Sequence, residues 1–377
     1  MRHTLLTLAF LVFVTVLPGG AQDPVRVQKI CPPCAAVASM QSNLDKIPLD
    51  ALNERTWALG PRGVNLPWSP GGDIGGRLPG AGATIVQIDT GVTNHPLLAS
   101  SIVDVHAADG LYGPGHTNLD PLLSGFLRFP GHGTKTSSVI VAKEAPDGMI
   151  GVVGAAPGAR LIPIRATEGV VLFNRQIGEL NADQQRIAHA LNEAARGAGS
   201  KFIGRQVDVV SMSLGGWPGD PALCQAVENA TRAGIIVVVA AGNEVKRTKY
   251  PARCPTAIAV GGSTYGGTPW SGSAGSEEVA VSAPAEGVWT AAVVNGVPCM
   301  EASSGTSFAT ALVASMAAEW VARRIAAGMA PARNASTPEA FKQALKESVH
   351  PWTGSPADVQ QWSRKFGAGI ADMTRLR

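Results

Sequence analysis

Residues 234–241 read GIIVVVAA. The five aliphatic residues Ile235–Val239 leave no polar face, so the segment predicts a strand covered on both sides. It does not stand alone. Thr84–Asp89 (TIVQID), Arg160–Arg165, Val207–Ser213 and Ala257–Gly261 are short, β-branched or aliphatic, and bounded by turn residues. Between them run helical patterns. One runs from His132 through Ala142, another covers Asn181–Gly197 with Ile187, Leu191 and Ala194 on one face, and a third covers Asp220–Ala233. Two more follow the strands, an Ala-rich stretch Ser307–Ile325 with no wide polar face and an amphipathic one at Pro338–Val349. Alternating strands and helices predict an α/β fold with a doubly wound, mainly parallel sheet and helices on both faces.

The chain has 377 residues, 45% of them hydrophobic, which is enough for one large domain. A net charge of +3 without a long basic run excludes nucleic acid as an expected partner. Residues 1–21 read as a signal peptide, with a polar start at Arg2-His3, an apolar run from Leu5 to Leu17 and small residues up to Ala21. The run is short for a bilayer span, so no stable membrane anchor is expected after removal. Residues 22–54 read as a short extension or reduced propeptide, including a helical stretch from Ala35 to Asn53, and residues 55–377 as the functional domain. The expected location is outside the cell or in its envelope exterior. The five cysteines are Cys31, Cys34, Cys224, Cys254 and Cys299, so at least one has no partner within a monomer. Cys31 and Cys34 have redox spacing, but a local disulfide or idle thiols fits their surroundings better. No H-E-x-x-H helix or second cysteine pair supports a metal site.

In sheets of this kind, ligands bind beyond the carboxyl ends of the strands. Asp89 and Ser213 end two of the strands, and Asn243 follows a third, so three separate stretches put polar groups on one rim. His132 lies in a Gly-His-Gly-Thr turn at a helix start, and Ser307 lies in SSGTSFAT at another. A serine hydroxyl needs a neighbouring base to act as a nucleophile. A helix N-terminus would favour the negative charge that then develops. Asp89 would orient the His132 ring, and the Asn243 amide could donate to an oxyanion. Each residue also has an ordinary use: helix cap, packed histidine, strand-ending turn. Asp, His and Ser in this chain order match one known arrangement of the hydrolytic triad. No G-x-S-x-G elbow is present, which argues against an α/β-hydrolase.

At these residues the chain closely resembles the subtilisin family of serine proteases. The pieces are IDTGV at 88–92, HPLL at 95–98, GHGT at 131–134, VDVVSMSLGG at 207–216, VVVAAGNE at 237–244 and SSGTSFAT at 303–310. The resemblance implies Asp89, His132 and Ser307 as the triad and Asn243 as oxyanion donor. It further implies that Ser213, Leu214, Gly215 and Gly216 form an extended edge that pairs with substrate backbone. It also suggests a Cys224–Cys254 disulfide. Lys135-Thr-Ser-Ser138 replaces the family's usual His-Val-Ala-Gly, a change expected to alter packing more than chemistry. Leu97 stands where many members place a calcium-binding aspartate, so calcium is not supported and no cofactor is expected.

The resulting expectation is a secreted, monomeric serine endopeptidase acting on polypeptides through an acyl-enzyme. The alternatives are a catalytically weak relative that binds peptides and a serine hydrolase of small esters. Glu244 is expected to favour basic or polar groups at the mouth of the specificity pocket.

Overall fold

The computed structural model describes residues 58–67, 74–102, 117–123, 129–143, 152–172, 177–294 and 297–377. The signal peptide, the helix expected over 35–53 and the Cys31–Cys34 pair lie outside the described residues.

The elements follow one another as β1 (Thr84–Asp89), α1 (His132–Val141), β2 (Arg160–Arg165), β3 (Val171–Leu172), α2 (Ile177–Arg196), β4 (Val209–Met212) and β5 (Gly215–Gly216). Then come α3 (Pro221–Arg232), β6 (Ile236–Ala240), β7 (Ile258–Ser263), β8 (Val279–Pro284), β9 (Val288–Val294) and β10 (Val297–Ser303). The last elements are α4 (Thr306–Ala326), α5 (Ser336–Glu347), β11 (Val349–His350), α6 (Pro356–Lys365) and β12 (Ile370–Ala371). The main sheet has eight strands in the order β11-β12-β8-β7-β6-β4-β1-β2. Every pairing in it is parallel except β11 with β12. The expected doubly wound α/β sheet is therefore the observed one.

The strands are apolar on both faces because each face meets helices. Ile85, Val209, Ile236 and Val238 point into one core layer with Val139 and Ile140 of α1 and with Leu312, Val313 and Met316 of α4. Their neighbours Val86, Val210, Met212, Val237 and Val239 point into the other, with Ile187 and Leu191 of α2 and Leu223 and Val227 of α3. This alternation follows from the two-residue period of a strand. Burying each such side chain stabilises the fold by about 1.5–3 kcal/mol before chain entropy is counted. From Thr306 to Ala322, α4 is buried at every position. A helix with small or apolar residues on nearly every face can be enclosed in this way.

Element boundaries differ in detail from the sequence reading. The strand expected over Val207–Ser213 spans Val209–Met212. Just before it, the Asp208 N–H donates to the Thr84 carbonyl, its carbonyl accepts from the Ile236 N–H, and its carboxylate accepts from the Thr84 N–H at 2.8 Å. The hairpin β9–β10 and the helix α6 were not expected. Asn295-Gly296, set between two runs rich in valine, is the hairpin signal that points to the former.

Candidate active site

β1 delivers Asp89 to the carboxyl rim, where it is 1% exposed. α1 begins at His132 after Gly131, whose φ of 72° a side chain would disfavour. The two segments nearly touch. A Cβ on Gly133 would lie 2.0 Å from the Gly91 carbonyl oxygen, so only glycine can follow the histidine. That contact sets the distance between base and carboxylate. His132 Nδ1 is 2.8 Å from Asp89 Oδ1, and His132 Nε2 is 3.0 Å from Ser307 Oγ. The carboxylate can only accept, so Nδ1 carries the proton and the Nε2 lone pair faces the Ser307 hydroxyl.

Asp89 is held on both oxygens. The Thr90 N–H donates to Oδ1 at 2.7 Å, and the Thr136 hydroxyl donates to Oδ2 at 3.2 Å. Thr90 is tied in turn. Its hydroxyl donates to Asp120 Oδ2 at 2.6 Å and accepts from the Gly133 N–H at 3.1 Å. Asp120 also accepts from the Gly131 and Leu122 N–H groups. Burial raises the Asp120 carboxyl above the usual carboxylate range, its hydrogen bonds oppose the rise, and the nearby Asp89 charge adds to it.

Ser307 is the second residue of α4. In the first turn, the Thr306 N–H donates to Asn243 Oδ1 at 2.9 Å and the Phe308 N–H donates to the Gly305 carbonyl at 3.1 Å. The Ser307 N–H, between them, has no acceptor among the described residues. Asn243 Oδ1 also accepts from the Thr306 hydroxyl at 2.7 Å. Two donors on Oδ1 fix which way the amide points. Nδ2, on this exposed side chain, has no partner among the described residues. A backbone N–H and an amide N–H, both unused, thus lie near each other at Gly305: a Cβ built there would be 3.8 Å from the Ser307 nitrogen and 3.1 Å from Asn243 Nδ2. Such a pair can stabilise an anionic oxygen.

Ser213 meets Ser307 from a third side. Its hydroxyl donates to the Ser307 carbonyl at 3.0 Å, and its carbonyl lies 3.5 Å from Ser307 Oγ. Leu214 is buried beneath. Within the edge expected to pair with substrate, Gly215–Gly216 has chain neighbours of its own. Val171–Leu172 pairs with it in parallel, and the Gly215 N–H donates to the Val170 carbonyl at 3.1 Å. Gly216 exchanges both backbone hydrogen bonds with Tyr250. Two adjacent glycines let neighbouring chain approach on either side.

His132 and Ser213 thus meet Ser307 directly, Asp89 through His132 and Asn243 through Thr306, while Leu214, Gly215 and Gly216 continue the chain from Ser213. Thr136, Thr90 and Asp120 were not expected at the site. Thr136 was legible in principle, since it stands four residues after His132 on one helix face. The substitution at 135–138 also does more than fill space. Lys135 forms an ion pair with Glu301 of β10, and the Ser138 hydroxyl accepts from the Ala291 N–H of β9. Cys224 and Cys254 form a disulfide between α3 and the loop after Tyr250.

The profile of the subtilase family matches residues 80–369. An extracellular protease of Xanthomonas campestris pv. campestris is 28% identical over 93% of this chain and 61% of its own length. An intracellular serine protease of Paenibacillus polymyxa is 30% identical over 78% of this chain and 82% of its own. Thermitase of Thermoactinomyces vulgaris is 32% identical over 63% of this chain and 74% of its own. Among solved structures, a protease of Pseudoalteromonas arctica superposes with a TM-score of 0.66 at 21% identity, covering 86% of this chain and 96% of that one. Fervidolysin of Fervidobacterium pennivorans gives 0.60 at 22% identity, over 79% of this chain and 43% of that one. The chain belongs to the subtilase family of serine-type endopeptidases.

Proposed function

We propose that the protein hydrolyses peptide bonds with Ser307 as nucleophile, His132 as general base and Asp89 as its orienting carboxylate. Ser307 Oγ adds to the scissile carbonyl carbon while its proton passes to His132 Nε2. The oxyanion is received by the Ser307 N–H and Asn243 Nδ2. His132 returns the proton to the leaving amine as the C–N bond breaks, leaving an acyl-enzyme. Water, deprotonated by His132, then releases the acid and restores the hydroxyl.

The observation that carries this reading is the continuous line Asp89–His132–Ser307, with hydrogen bonds of 2.8 and 3.0 Å and an unused donor pair at its end. The test is labelling by a fluorophosphonate together with casein digestion. Both are expected in the wild type and absent in Ser307→Ala. A protein that is not labelled is a peptide-binding relative. One that is labelled but cleaves only small esters is a general serine hydrolase.

The rest of the reading belongs to the same proposal. Residues 1–21 direct export and are removed, residues 22–54 are a short extension, and residues 55–377 are the peptidase domain. The mature protein acts outside the cell or in its envelope exterior, as a monomer, without a cofactor.

A further inference from the structure

Two chain segments reach Ser307 from the sheet. One is Ser213–Gly216, whose first carbonyl is 3.5 Å from the hydroxyl. The other is Ala241–Asn243, anchored where the Gly242 N–H donates to the Thr306 hydroxyl at 3.3 Å. Given the proposed mechanism, on which this inference rests, the residue supplying the scissile carbonyl must lay its side chain between these two segments. Both present a glycine there, Gly215 and Gly242, so the walls are bare backbone.

One side chain bridges the two walls. A Cβ built on Gly215 would lie 3.0 Å from Lys249 Cβ, and one built on Gly242 would lie 3.2 Å from Lys249 Cγ. The Lys249 N–H donates to the Ala241 carbonyl at 3.0 Å, and its neighbour Tyr250 pairs with Gly216. The lysine is therefore stitched to both walls through backbone. The disulfide at Cys254 and the Arg253 guanidinium, 5.4 Å from the Trp217 ring centre and 5.6 Å from that of Tyr250, hold the same loop. Lys249 is half-buried, and among the described residues its ammonium has no ion-pair or hydrogen-bond partner. Lys246 and Arg247 add positive charge beside it. The carboxylate expected at the pocket mouth does not neutralise it. The Glu244 side chain lies across Gly272, with Oε1 2.6 Å from where a Cβ on that glycine would be.

A lysine whose stem is packed between the two walls and whose ammonium has no counter-ion favours a ligand that brings one. We infer that Lys249 sets the specificity of the site, which prefers an acidic side chain, glutamate above all, on the residue whose carbonyl is attacked. This reverses the preference for basic groups expected from Glu244.

The test uses Ala-Ala-Pro-X p-nitroanilides with X as Glu, Gln, Lys or Phe. Glu and Gln differ in charge and hardly in shape. In the wild type, kcat/KM for Glu is expected to exceed that for Gln by about fivefold, and the ratio should shrink as salt is added. Lys249→Met should bring the ratio to one or below. Lys249→Glu should move the preference to X = Lys. The inference is overturned if Gln equals or exceeds Glu in the wild type, or if Lys249→Met keeps the ratio. It is also overturned if Glu244→Gln, and not Lys249→Met, removes the discrimination. Fluorophosphonate labelling of each variant separates the two levels of argument. Labelled protein without a preference for Glu sinks the specificity alone, whereas unlabelled wild type sinks the mechanism with it.

Discussion

Asn243 carries two functions on one amide, and they can be separated. Its Oδ1 caps the first turn of α4 through Thr306, and its Nδ2, next to Gly305, has no partner among the described residues. Asn243→Asp keeps an acceptor for Thr306 but supplies no donor. Its turnover is expected to fall on the order of 10²–10³, the loss seen when this donor is removed from another subtilase, with KM little changed. Asn243→Ala removes the cap as well and should also lower Tm. Steady-state kinetics and thermal melts of the two variants check this. Asp120 is a second residue with a legible consequence. Its folded carboxyl lies above the ordinary carboxylate range, so between the unfolded and folded values the folded protein binds more protons. Stability therefore falls as pH rises through that window, which starts near the usual ~4. Asp120→Asn lacks this titration. Relative to it, the wild type is expected to lose stability as pH rises above about 4, as measured by denaturant unfolding at each pH. Asp89, His132 and Ser307 were readable because each sits in a short, glycine-flanked motif at the end of an element. Asp120 was not, because only the folded chain brings it against Thr90.

At the scale of elements, the strands and long helices were legible from periodicity, and the short or interrupted pieces were not. β8 reads VAVSAP, whose small and polar residues weaken the aliphatic signal that marks β6. The pairing of β3 with β5 depends on contacts between residues more than forty positions apart, which no local pattern encodes. The cross-tie between Lys135 on α1 and Glu301 on β10 has the same character. It joins the element that bears His132 to the strand that leads into Ser307. The Cys224–Cys254 bond fastens α3 to the loop bearing Lys249, across a sequence separation of 30. Closing a loop of that length removes freedom from the unfolded chain. The double variant Cys224→Ala/Cys254→Ala is expected to be less stable by about 3 kcal/mol in denaturant titration. The same melt compared under reducing conditions should show the wild type approaching the variant.

For the whole molecule, the sheet order brings the carboxyl ends of β1, β4 and β6 side by side, although 43 residues part Asp89 from His132 and 175 part His132 from Ser307. The site therefore forms only when the central sheet is complete. If the protein works without a cofactor, as proposed, excess chelator is expected to leave both Tm and casein cleavage unchanged, and a fall of several degrees would refute that proposal. Through the middle of the molecule runs α4, enclosed on every side from Thr306 to Ala322, with the reactive hydroxyl at its tip. A helix resists compression along its axis, so it behaves as a push-rod. Ala317, ten residues along and about 15 Å from that tip, has no spare room around it. Enlarging it would press the rod against its neighbours and tilt it, and a displacement of about one ångström carried to the oxygen would slow the reaction about a hundredfold. The far end of this core is, mechanically, part of the catalyst.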